Sequence, residues 1–118
     1  MARKARPLST AFWTDDKVAH LSRDARLTLA GLITKCADDE GRFVATPNAI
    51  SGALFPYDEI PPARIKKWLN EIQSEGMVLI YRINGGTYGW LPKWHAWQKP
   101  PHPTPSTLPP PSEEVLFS

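Results

Sequence analysis

Arg64, Lys66, Lys67 and Asn70 sit in one short run, Pro62–Ser74. Arginine and lysine donate hydrogen bonds to paired acceptors such as guanine O6 and N7, or to phosphate oxygens. An asparagine amide both donates and accepts, which suits an adenine edge. Ile65, Trp68, Leu69 and Ile72 recur at helical period in the same run and form one apolar stripe that must face a core. Lys67 and Asn70 then lie opposite the stripe with Ala63 and Ser74, and Arg64, Lys66 and Glu71 lie on the flanks. Lys67 and Asn70 are the candidates for specific contacts. Arg64 and Lys66 suit phosphates, which position a ligand without specifying it. The plainer alternative is a solvated helix face.

Three further groups have compatible chemistry. Arg82, Asn84 and Gly85 belong to a hairpin whose small polar tip can lie against a sugar-phosphate strand, or be an ordinary turn. Thr46 and Asn48 open the helix before the Pro62–Ser74 run, where hydroxyl, amide and helix N-terminal N–H groups can meet phosphate. Capping explains Thr46 equally well. Arg3, Lys4 and Arg6 form a basic arm able to follow a phosphate backbone, or a frayed terminus. Asp58 and Glu59 work against such a surface unless they act as helix-start charges set back from it.

Other chemistries find little support. Cys36 is the lone cysteine, and His20, His95 and His102 stand in separate segments without ligand spacing. Asp38-Asp39-Glu40-Gly41 is a solvated turn at a helix end. Gly85-Gly86 sits in a hairpin and not between strand and helix, so it is no phosphate loop. No enzymatic activity, metal or cofactor is expected. The 118 residues suit one small domain with a single core. Net charge is +2, but residues 1–99 carry all 14 basic residues against 10 of the 12 acids, an excess of four. That excess permits nucleic-acid binding without requiring it. The N-terminus lacks the apolar run of a signal peptide, no stretch is long enough to span a membrane, and a reducing cytoplasm is expected.

The elements that must position these groups follow from local signals. Thr14 is a candidate cap for a short helix with Asp15 and Asp16 at its start; Phe12, Trp13, Val18 and Leu21 should dock it on the core. Ser22 caps a helix over Arg23–Ala37, with Ala25, Leu29, Leu32, Ile33 and Cys36 inward. Arg42–Ala45 is a brief strand expected to pair with the later hairpin. Thr46 and Pro47 open a helix over Asn48–Leu54, burying Ile50, Ala53 and Leu54. Gly76 stops the Pro62–Ser74 helix, and Met77–Ile83 and Thr87–Leu91 form strands joined through Asn84-Gly85-Gly86. Trp68 belongs to the core. Trp90, Trp94 and Trp97 with His95 are packing and lid residues, or aromatics that stack on unpaired bases. From residue 100 the chain turns proline-rich, with seven of its thirteen prolines in residues 100–111.

The expected architecture is α+β, a winged helix-turn-helix. It divides into a basic arm over residues 1–11, a domain over residues 12–99 and a disordered proline-rich linker over residues 100–118, with an apolar tip at Val115-Leu116-Phe117. Phe12-Trp13-Thr14-Asp15, Leu21-Ser22-Arg23-Asp24-Ala25-Arg26-Leu27 and Asp39-Glu40-Gly41-Arg42 follow one another in this frame. Leu54-Phe55-Pro56-Tyr57-Asp58, the exit Pro92–Pro100 and the prolines from Pro105 to Pro111 come after them. In order and spacing these segments resemble the N-terminal helix-turn-helix domains of bacteriophage and prophage replication-initiation proteins, the replisome organisers, over about residues 8–111. The resemblance implies recognition of double-stranded origin DNA in a bacterial cytoplasm, with a replicative helicase or its loader recruited through segments outside this domain. Two alternatives stay open: a transcriptional regulator using the same surface, and a protein-interaction winged helix that does not bind DNA.

Overall fold

Side-chain caps set where several of the helices begin. In the computed structural model, which describes residues 5–112, a 3₁₀ turn at Thr10–Thr14 leads into α1 at Asp16–Ala19. The cap of α1 is Asp15, one residue later than expected: its carboxylate accepts from Lys17 and Val18 N–H at 2.8 and 3.1 Å. Ser22 caps α2, Arg23–Gly31, by accepting from Ala25 N–H. The helix expected to continue to Ala37 widens instead into a π turn at Leu32–Cys36, closed by Ala37 N–H on the Leu32 carbonyl. Thr34 donates its hydroxyl to the Ala30 carbonyl at this widening, a back-bond that competes with the regular ladder.

Strand β1, Arg42–Val44, leads to α3, Pro47–Leu54, with Thr46 capping and Pro47 in the first turn. Helix α4 spans Pro62–Ser74. It ends in a Schellman arrangement: Gly76 at φ 73°, with Gly76 and Met77 N–H on the Gln73 and Ile72 carbonyls. Strands β2, Leu79–Ile83, and β3, Gly86–Trp90, form a hairpin, and α5 is Trp94–Trp97. The turn is two residues long, Asn84 at φ 48° and Gly85 at φ 82°, the positive angles of a tight hairpin. Met77 and Val78 precede the sheet and are buried.

The protein is thus α+β, with a three-stranded antiparallel sheet in the order β1-β3-β2. Phe43 pairs with Gly89, and Gly89 with Ile80. A Cβ on Gly89 would collide with the Phe43 ring, so this glycine lets the strand lie flat under the aromatic. Ile65, Trp68, Leu69 and Ile72 of α4 share one core with Leu29, Leu32 and Ile33, Ile50, Phe43 and Leu91. Trp94 is fully buried and donates its indole N–H to the Asp39 carbonyl at 2.8 Å. Ala53, Leu54 and Cys36 are only half-buried at its edge.

Further expectations change, the solvated turn over residues 38–41 among them, since Asp39 is buried. Trp13 is not a core residue: Phe12 takes the inward place in the 3₁₀ turn, and Trp13 stays 59% exposed, edge-on to it at 5.0 Å. Residues 5–11 are not a loose arm. The Arg6 guanidinium pairs with Asp39 at 2.9 Å and lies over Trp94, and the Pro7 carbonyl accepts from Gln98. Residues 100–112 have no helix or strand, as expected, but they are not a disordered linker. Backbone groups of Thr104, Ser106, Leu108 and Pro109 bond to the domain. Arg3, Lys4 and the Val115-Leu116-Phe117 tip lie outside the described residues. Among the described residues, no helix is long and apolar enough to cross a membrane.

Candidate functional site

Helix α4 is held at a fixed rotation by its own polar side chains. The Glu71 carboxylate accepts from both the N–H and the hydroxyl of Ser22, each at 3.0 Å, at the N-terminus of α2. That end of a helix favours an anion. Two residues on, the Gln73 side-chain oxygen accepts from Ile80 N–H at 2.7 Å and ties α4 to β2. With its apolar stripe in the core and these two anchors set, α4 presents Arg64, Lys66, Lys67 and Asn70 to solvent, all exposed.

The four residues divide between two hollows. A groove of about 530 Å³ runs between α4, the hairpin and the start of α3. Lys66, Asn70 and Gln73 form one wall, Arg82 and Thr87 the other, and Thr46 stands at one end. Register explains the second wall. Arg82 and Thr87 are cross-strand partners, and period-2 alternation places them on the same sheet face as Ile80 and Gly89. Among the described residues, no carboxylate lines this groove. On the other side of α4, Arg64 and Lys67 line a hollow of about 390 Å³ together with Asp24 and Glu71. Among the described residues, no side-chain hydrogen bond or ion pair engages Arg64, Lys66, Lys67, Asn70 or Arg82.

Of the remaining candidates, Thr46 lines the end of the groove and the others fall outside it. Asn84 and Gly85 form the exposed hairpin tip, and Asn48 is exposed in the first turn of α3. Thr46 accepts from Ala49 N–H at 3.3 Å, so its oxygen serves as a cap. Arg6 is committed to Asp39, with its side chain only 10% exposed, and cannot also follow a phosphate backbone without breaking that pair. Asp58 lines a separate hollow with Leu8, Leu27 and Leu54, away from α4's exposed face. Gln73 is the groove residue that sequence reasoning passes over. Its signal is the i, i+4, i+7 spacing of Lys66, Asn70 and Gln73, which shares a helix face.

Burial pushes the Cys36 thiol up to about 11, with Lys35 opposing, so it stays protonated at neutral pH and is a poor nucleophile. Among the described residues, no cluster of His, Cys, Asp and Glu could hold a metal ion. No family model, curated protein or solved structure matches the chain.

Proposed function

We propose that the chain is a winged-helix domain that binds double-stranded DNA, in the setting of phage-type replication initiation that its sequence resemblance implies. Helix α4 enters the major groove, and the β2–β3 hairpin is the wing that follows the backbone. The observation that carries this reading is the groove in which Lys66, Asn70 and Arg82 converge with no acid among its described lining residues. These groups arrive from two elements and have no side-chain partner among the described residues, so their hydrogen-bonding capacity is directed outward. Asn70 reads a base edge, Lys66 and Arg82 hold phosphates, and the small tip at Asn84-Gly85 allows close approach to a strand. Arg64 and Lys67 stand on the flank where Asp24 and Glu71 reduce the field, and they contribute less.

The test is duplex binding by fluorescence anisotropy across a salt series. Affinity falls linearly in log–log form, with a slope of about −0.9 per phosphate neutralised. A Lys66→Ala, Asn70→Ala double variant that melts like the parent and still binds with unchanged affinity and sequence preference would overturn the assignment.

A further inference from the structure

The sheet has a second face, opposite Ile80 and Gly89. Tyr81 pairs with Tyr88 and Tyr88 with Val44, so the three form one row across the strands. The two tyrosine rings are 5.9 Å apart. Tyr81 is 3% exposed but lies outside the main core cluster. Its hydroxyl donates to the Pro109 carbonyl at 2.6 Å. Burial holds this phenol above its ordinary pKa, with Arg42 opposing and Asp38 and Tyr88 adding, so the donor proton is kept.

Pro109 belongs to an extended strap that the domain grips mostly by its backbone. Asp39 Oδ2 accepts from Thr104 N–H at 3.0 Å, and the Glu40 carboxylate accepts from Ser106 N–H. Asp38 Oδ2 accepts the Ser106 hydroxyl at 2.5 Å, and Ser106 Oγ in turn accepts from Leu108 N–H at 3.1 Å. Farther along, Arg42 Nη1 donates to the Leu108 carbonyl at 3.1 Å. Acids thus meet the strap's N–H groups at one end, and a guanidinium and a phenol meet its carbonyls at the other. This arrangement reads chain direction. Proline supplies the extended backbone and removes the N–H groups that the site has no acceptor for.

The fit at Leu108 is incomplete. A hollow of about 350 Å³ remains beside it, lined by Val44, Ala49, Ala53 and Thr107 among others. We propose that the Asp38–Arg42 turn and the Tyr81 face form a receptor for extended proline-rich peptide segments, with residues 104–109 as an occupant that a segment of the same chemistry displaces in trans. Aromatic-lined grooves take polyproline segments because little ordering entropy is lost on docking. The tether makes the strap compete at an effective concentration on the order of millimolar, so occupancy in trans depends on a weakened strap or a better-filling ligand. This inference is independent of DNA binding.

The test uses the full chain and a fluorescein-labelled synthetic peptide with the sequence of residues 100–112. Ser106→Ala with Leu108→Ala in the chain weakens the strap and leaves the receptor intact. The peptide then binds this variant at least about tenfold more tightly than it binds the unmodified chain. The same two changes placed in the peptide abolish that gain, as does Tyr81→Phe with Asp38→Asn in the receptor. Equal binding to both chains, no binding to the strap-weakened chain, or a gain that survives the altered peptide would overturn the proposal. The altered-peptide arm needs no receptor variant, so it holds even where the receptor substitutions disturb folding.

Discussion

The two hollows beside α4 have the same number of cations and opposite surroundings. On the hairpin side, Lys66 and Arg82 face each other across a groove with no carboxylate among its described lining residues; on the α2 side, Arg64 and Lys67 share theirs with Asp24 and Glu71. Counting charges along the helix cannot separate the two. What separates them is the partner element, because β2 contributes Arg82 where α2 contributes Asp24. Glu71 looks like a flaw in a helix proposed to face DNA until its two bonds to Ser22 are seen. It is a structural acid whose place on α4 makes one flank a joint and leaves the other open.

The largest effect that tests this contrast is on the open side. Lys66→Ala with Arg82→Ala should weaken duplex binding by about 1–3 kcal/mol for the pair and lower the salt slope by about one per contact removed. Anisotropy at several ionic strengths measures both, and a loss no greater than that of the α2-side pair would break the contrast. Next comes the joint. Glu71→Ala removes the acceptor shared by Ser22 N–H and hydroxyl, and should cost about 1–2 kcal/mol in denaturant unfolding. Glu71→Gln should cost less stability and slightly strengthen duplex binding, by lifting the field from Arg64 and Lys67. Gly85→Ala meets no side chain in space but must hold φ at 82°, and should cost about 1 kcal/mol of stability in a thermal melt. If the hairpin is a wall of the groove, its duplex affinity falls as well. The smallest effect belongs to Arg64→Ala with Lys67→Ala. Screened charges of this kind change affinity by roughly 0.5 kcal/mol or less, and a loss matching that of Lys66 and Arg82 would move the site to the other flank.

Much of the fold is legible in sequence where a local signal decides it. The limits of α4, the Thr46-Pro47 start and the Asn84-Gly85 turn each rest on a cap, a proline or a positive φ within a few residues. Exposure of Trp13 is not local, because two adjacent aromatics compete for one inward place and the 3₁₀ turn awards it to Phe12. The candidate groove is half legible: helical spacing groups Lys66 with Asn70, but only the sheet register sets Arg82 opposite them. The strap is the least legible part. Its composition announces an extended chain, but the bond from Thr104 to Asp39 spans 65 positions and leaves no mark in either neighbourhood.

Asp39 holds more than its own turn. One carboxylate oxygen takes Arg6 and the other takes the Thr104 N–H, while the residue's carbonyl receives the Trp94 indole. The segments entering and leaving the domain therefore meet at one buckle. Pull on the leaving segment meets the Pro109–Tyr81 and Leu108–Arg42 bonds of the sheet first, and Asp39 is the last tie before the two segments part.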